Sequence, residues 1–393
     1  MRLGIEYKSF NKLVKKIIDN RGKTCPVVRS GFPLIATNCI LNRNLYPIFE
    51  NIRFVSQETY ETWFRGHPEP GDMIFVLKGT PGRVNWVPDP VNFCIAQDMV
   101  AIRANEQEVY PKYLFAALRS SIIQQEIENL HVGTLIPHFK KSDFDKLFIP
   151  CPSYKMQTYI GDTYFYFSQK IDLLQRQNAT LEAMAETLFR ERFISYSHKD
   201  SMVAIDSYIL FNPKRSIRKG DMSPYLEMSN LRTDAFCPIE FYDKEFTSGS
   251  KFINGDTLLA RITPCLENGK KCFVNFLEDG AVAWGSTEYI VMHPMDELHP
   301  LFAYCLVKTD DFRGYAESCL SGSSGRQRVD VTHLKQYEIK SPRKNDINDF
   351  NRFCTAIEPK LLNNYKKIKT LEKLRDTLLP KLMSGEVRVR VDG

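Results

Sequence analysis

LEAMAETLFRERF (residues 181–193) returns as LEKLRDTLLPKLM (residues 371–383), an offset of 190. At that offset Lys170 meets Lys360, Thr180 meets Thr370, Glu182 meets Glu372 and Leu188 meets Leu378. The register continues upstream without a gap: FDKLFIPCP (144–152) falls on LKQYEIKSP (334–342), and AQDMVAI (96–102) on STEYIVM (286–292). PGDMIFVLKGTPGR (70–83) echoes NGDTLLARITPCLENG (254–269), now at an offset of 184, and PLIATNCI echoes YLEMSNLR with Asn38 over Asn230. A repeat of this length makes each half one structural unit. Each is a globular head followed by a long helix, and the heads diverge more than the helices.

The helices carry their own periodicity. Leu174, Asn178, Leu181, Ala185, Leu188 and Arg192 step by four and three. So do Asn364, Ile368, Leu371, Arg375, Leu378 and Leu382. A 3.5-residue repeat is the signature of a coiled-coil seam, here interrupted by Asn178 and Arg375. The alternative is two amphipathic helices, each packed on its own head. Pro359 lies inside the second pattern and predicts a kink or restart there, while its repeat partner is Gln169. EVRVRV after Ser384-Gly385 alternates like a terminal strand.

The fold class that follows is α+β. Two globular domains in an internal repeat are separated and joined by two long antiparallel, coiled-coil-like helices. The expected boundaries are a first head at 1–152, a central helix at 153–194, a second head at 195–342, and a distal helix with its terminal strand at 343–393. The joint SYSHKDS (195–201) is short and charged, so the halves are coupled through structure and not by a flexible linker.

Composition limits the class. The 393 residues are 43% hydrophobic and 25% charged, ordinary for a globular protein of two or three domains. Lys and Arg number 53 against 47 Asp and Glu, a formal net charge of +6, which is compatible with DNA without demanding it. The ten cysteines form no C-x-x-C pair, so zinc-ribbon and redox spacings are missing and reduced thiols in a cytoplasm are the simplest reading. The opening residues lack a signal peptide's apolar core, and no apolar run is long enough to span a membrane.

Catalytic patterns are missing as well. Neither Asn212-Pro213-Lys214 nor Asp89-Pro90-Val91 completes the Asn/Asp-Pro-Pro-aromatic motif of an amino-methyltransferase. There is no GxxxxGK[ST] phosphate loop and no G-x-S-x-G elbow. Glu338-Ile339-Lys340 has the E-x-K spacing of a nuclease half-site, but the repeat places Phe148-Ile149-Pro150 over it, so it reads as a strand.

Basic, glycine-containing loops follow the Gly-Asp strands in both heads. The first holds Lys78, Thr80 and Arg83; the second holds Arg261, Thr263, Asn268, Lys270 and Lys271. Glycine lets a backbone approach closely, and such side chains suit phosphates and base edges. The plain alternative is a hairpin turn with solvated charges. Lys140 and Lys141, with Arg326 and Arg328, form a second set at the head-to-helix junctions.

The stretch IPCPSYKMQTYIGDTYFYFSQKIDLLQRQNATLEAMAETLFRERF resembles the central conserved region of specificity subunits of Type I restriction–modification systems. LEKLRDTLLPKLMSGEVRV resembles that family's distal conserved region, and the GT-x-IP-x-F pattern from Gly133 resembles its exit from the first recognition domain. The opening MRLGIEYKSFNKL departs from the family's usual entry, and SGSSGRQRVDV (321–331) from its Gly-Thr pattern.

The resemblance implies a DNA-recognition subunit without catalysis of its own, each head reading half of a bipartite double-stranded DNA target. It implies two methyltransferase subunits docked on the helices and a translocase–nuclease subunit joining them. S-adenosylmethionine, ATP and Mg would be held by those partners, with none in this chain. Leu174, Leu181, Leu188, Ile368, Leu371 and Leu378 are the expected contacts of the helix pair. Two other classes compete: an enzyme with two DNA heads, against which the missing motifs count, and a scaffold whose heads bind something other than DNA.

Overall fold

The computed structural model describes residues 5–20, 23–130, 136–195, 201–233, 236–238, 240–323, 326–384 and 386. The first half runs through β1 (Val14–Asp19), β2 (Met73–Val76), β3 (Val84–Trp86), β4 (Met99–Ala104), α1 (Pro111–Arg119), α2 (Ser121–Asn129) and the long α3 (Tyr154–Phe189). The second half repeats this order with β5 (Ile209–Phe211), β6 (Thr257–Ala260), β7 (Lys271–Phe273), β8 (Tyr289–Pro294), α4 (Leu301–Lys308), α5 (Asp310–Ser318) and α6 (Lys344–Ser384).

The chain forms two compact units. The first comprises residues 1–174 with 367–393, and the second residues 175–366. In the first, the antiparallel sheet has the order β1-β4-β2-β3. In the second, the order is β5-β8-β6-β7. Each unit has another sheet built on a parallel pair: Leu34 opposite Cys94 in one, Tyr225 opposite Trp284 in the other. A short antiparallel ladder joins each unit's entry to its exit, Glu6–Ser9 on Phe148–Cys151 and Met202–Ala204 on Glu338–Lys340. The E-x-K sequence is therefore a strand, with Ile339 in the core.

The Gly-Asp signal marks one turn built twice. Gly71 (φ 89°) and Gly255 (φ 91°) take the left-handed conformation. The following aspartates are buried and accept a backbone N–H three residues back, Asp72 from Glu69 and Asp256 from Ile253, each at 2.8 Å. A buried carboxylate is costly without a partner. Arg103 donates Nε to Asp72 at 2.9 Å and Nη2 at 3.0 Å. Asp256 is held by Arg215, whose Nη2 donates at 2.8 Å, and by His293 Nδ1 at 2.8 Å.

Both long helices contribute to both units. In the first, Ile160, Tyr164 and Phe165 of α3 share a core with Leu379, Leu382 and Met383 of α6. Nearby, Ile171 and Leu174 pack on Ile368 and Leu371. In the second, Ala185 and Phe189 of α3, with Phe193 just beyond it, share a core with Phe350, Cys354, Ile357 and Leu361 of α6. Within each unit the pairing is antiparallel. The predicted seam positions meet one another in these contacts, with Leu181, Leu188 and Leu378 half-buried against the cores.

The polar residues on the seam are paired. Asn364 Nδ2 donates to Asn178 Oδ1 at 2.8 Å and to Gln177 Oε1 at 2.8 Å. Arg375 lies over the Tyr164 ring at 5.6 Å and donates Nε to Asp376 at 2.7 Å.

Pro359 does not interrupt α6, which runs continuously from Lys344 to Ser384. Proline deprives the carbonyl four residues back of its donor. Here Thr355 and Pro359 are both on the exposed face, where water can supply that bond. The terminal strand expected in EVRVRV lies outside the described residues apart from Glu386, as do residues 196–200 of the joint.

Leu379 is 5% exposed in the first unit's core. Replacing it with alanine should cost about 2–5 kcal/mol. Hydrogen exchange should accelerate in Met73–Val76, far away in sequence, and change less in the equivalent Thr257–Ala260. Equal acceleration in both strands would show that Leu379 does not serve the first unit preferentially.

Candidate nucleic-acid interface

The β2–β3 loop of the first unit is zipped to the chain leaving α2. Leu77 N–H donates to the Asp98 carbonyl at 2.8 Å, Gly79 N–H to that of Pro137 at 3.0 Å, and Phe139 N–H to that of Leu77 at 2.8 Å. Gly82 (φ 89°) turns the loop where a Cβ would press within 3.2 Å of Ile127. This brings Lys78 and Thr80 beside the segment carrying His138, Lys140 and Lys141, so the first half's two predicted clusters are neighbours.

The second unit repeats the zipper. Arg261 N–H donates to the Glu288 carbonyl at 2.9 Å, Thr263 N–H to that of Gln327 at 3.0 Å, and Val329 N–H to that of Arg261 at 2.9 Å. Thr263 Oγ1 also accepts the Gln327 N–H at 3.1 Å. Arg326 and Arg328 thus lie beside the β6–β7 loop. The hairpin closes with Val76 on Arg83 in one unit and Ala260 on Lys270 in the other, so Arg83 corresponds to Lys270 across a longer loop.

The predicted cations divide by what they already hold. Lys270 Nζ donates to the Met228 carbonyl at 2.9 Å, Lys271 Nζ to those of Thr233 and Gly269 at 3.3 Å, and Arg261 Nη2 to that of Val329 at 3.3 Å. These three brace the loop. Arg328 forks onto Glu288, with contacts from 2.7 to 3.0 Å, and Lys141 is paired with Asp19. Lys140, Asn268 and Arg326 are exposed, and Lys78, Thr80 and Arg83 half-exposed.

Two arginines escaped sequence reasoning. Arg43 and Arg232 lie just after the aligned 3-10 turns Thr37–Cys39 and Met228–Asn230, on loops laid along the sheet's edge strand. In the first unit Val84 N–H donates to Asn42 Oδ1 at 2.8 Å and Trp86 N–H to the Leu45 carbonyl at 2.8 Å. In the second, Lys271 N–H donates to the Arg232 carbonyl at 3.4 Å. The available signal was a basic residue after each turn in the PLIATNCI and YLEMSNLR alignment.

Electrostatics mark the same places. Burial lowers the pKa of Arg83, and the nearby Arg43 guanidinium lowers it further. Burial brings Lys271 down to about 8, helped by Lys308 and Arg313 and opposed by Glu182 and Glu186. Among the described residues, no three His, Cys, Asp or Glu side chains group to hold a metal ion. No described helix is long and apolar enough to cross a membrane. All ten cysteines are free thiols, and all but Cys265 are buried.

A folded pKa of about 8 against the ordinary 10.5 gives Lys271 a definite pH signature. Between those values the unfolded chain binds more protons, so this lysine makes stability rise with pH. Lys271→Met should raise the urea midpoint near neutral pH and flatten its rise toward pH 9.5. An unchanged pH profile would show that Lys271 is not held dehydrated.

Comparison with known proteins places this geometry in context. Residues 10–183 match the family model described as the Type I restriction modification DNA specificity domain. The specificity subunit of Type I restriction enzyme MjaIX from Methanocaldococcus jannaschii is 23% identical over 335 residues, which are 76% of each chain. The specificity subunit of EcoEI from Escherichia coli is 29% identical over 143 residues, 34% of this chain and 23% of that one. The crystal structure of a Type I restriction–modification S subunit from M. genitalium superposes with a TM-score of 0.52 at 16% identity, covering 97% of this chain and 96% of that one. That last likeness is one of fold.

Proposed function

The chain belongs to the specificity-subunit family of Type I restriction–modification systems, and from that premise we propose that its two units each read one half of a split DNA target. The family supports DNA sequence recognition. The observation that carries the bipartite reading is the duplicated loop-and-exit zipper, which presents Lys78, Thr80, Arg83, Lys140 and Lys141 in one unit. In the other it presents Thr263, Asn268 and Arg326, braced by Arg261, Lys270 and Lys271, with Arg328 forked onto Glu288. Phosphate contacts from such cations position a protein, while amide and guanidinium groups reaching a groove discriminate bases.

In this reading the helix pair spaces the two recognition units. A 41-residue α6 measures about 60 Å at about 1.5 Å per residue, against about 34 Å for one turn of B-DNA. The chain performs no catalysis; methyl transfer and ATP-driven steps belong to partner subunits, which hold S-adenosylmethionine, ATP and Mg. The seam leucines pack inside the chain, so methyltransferase subunits dock on the outer helix faces. Tyr159, Tyr166 and Leu173 recur every seven residues along α3, and each is at least 39% exposed.

Co-expression with a methyltransferase subunit, followed by mapping of methylated bases in host DNA, tests the recognition role. A split, asymmetric motif should appear and vanish when this chain is deleted. Exchanging residues 1–150 should change only one half of it. Methylation that persists without the chain would refute the role.

Docking has a separate test. Tyr166→Asp should reduce recovery of the methyltransferase subunit with the tagged chain while leaving circular dichroism unaltered. Undiminished recovery would move the docking face elsewhere.

A further inference from the structure

We propose that Arg43 and Arg83 form a clamp for one DNA backbone phosphate in the first unit, and that the buried Asn85 and Arg119 are the positioning residues that set it. This deepens the recognition role and rests on it.

Residues 41–45 are fastened to the edge strand β3 from below. The fully buried Asn85 accepts the Leu41 N–H at 3.0 Å and donates Nδ2 to the carbonyls of Leu41 at 3.0 Å and Asn44 at 2.5 Å. Arg119, 8% exposed, donates Nε to the Val84 carbonyl at 2.9 Å and Nη2 to the carbonyls of Leu41 at 3.4 Å and of Asn44. Its guanidinium stacks on Phe115, 4.5 Å from the ring centre.

Burying this guanidinium is costly and lowers its pKa, with Arg375 adding to the effect and Tyr164 and Asp376 opposing it. Its carbonyl bonds fasten the loop carrying Arg43. A further tie, from the Val84 N–H to Asn42 Oδ1 at 2.8 Å, sets the loop beside Arg83, the residue before Val84.

Arg43 is exposed and Arg83 half-exposed, and their charges are close enough to disfavour one another. Two arginines on neighbouring segments joined by the Val84–Asn42 bond suit a shared anion, and a phosphate offers each a charge-assisted hydrogen bond. The second unit lacks this device. Thr309 takes the repeat position of Arg119 and Cys272 the β-strand position of Asn85, while Lys270 and Lys271 tie the corresponding loop.

The test uses the full chain assembled with its methyltransferase subunits, and two duplexes: the mapped split motif and a scrambled control. Affinity is titrated from about 50 to 200 mM salt. Arg43→Ala should weaken binding about tenfold at low salt and reduce the slope of log K against log salt by about one, on both duplexes, with the methylated motif unchanged. Arg119→Lys, which keeps the charge but not the fork, should do the same. It should cost no further affinity in the Arg43→Ala background.

Wild-type affinity and slope in Arg43→Ala would overturn the clamp. So would a motif relaxed at one base pair with the slope intact, since that marks base reading. Additive losses in the double variant would overturn the positioning role of Arg119. If the wild type itself fails to distinguish the duplexes, the recognition role falls, while the slope on the scrambled duplex still decides the clamp.

Discussion

The hydrogen bond between Asn178 and Asn364, 2.8 Å long and buried, fixes how the two long helices meet. A buried amide on a mainly apolar seam lowers stability relative to leucine, but it penalises every register in which it lacks its mate. The register matters because α6 is continuous. One slipped turn would withdraw Leu379, Leu382 and Met383 from the first unit's core and misplace Phe350 and Cys354 in the second. Both units therefore depend on helices that neither owns alone.

Within each unit the same constraint appears at smaller scale. Loops that would otherwise sample many conformations are fastened through backbone carbonyls by buried or half-buried polar side chains. Asn85 and Arg119 do this in the first unit; Lys270, Lys271 and Arg261 do it in the second. A loop held this way would lose little conformational entropy on meeting a ligand. The two units solve the problem with different residues, consistent with heads that diverge while the helices stay alike.

The architecture was legible because periodicity and repetition are properties of the chain itself. The 190-residue offset, the 3.5-residue seam and the Gly-Asp turns all reappear as matched elements. Pro359 misled as a possible break because its cost depends on whether water reaches the carbonyl behind it. The interface was less legible. A lysine in a basic loop looks the same whether it points outward or, like Lys271, ties down a carbonyl. Nothing in the sequence singles out Arg119, because its carbonyl partners lie 35 to 78 positions away.

That distinction changes how the chain's charge should be understood. A formal net charge of +6 on 393 residues creates little general attraction for DNA. Much of the local positive charge is also committed, with Arg328 forked onto Glu288, Lys141 on Asp19 and Arg103 on Asp72. Arg83 is drawn partly out of water, and the nearby Arg43 guanidinium lowers its pKa further. Such crowding of like charges is unfavourable, and in the proposed clamp an anion shared by the two guanidiniums would relieve it.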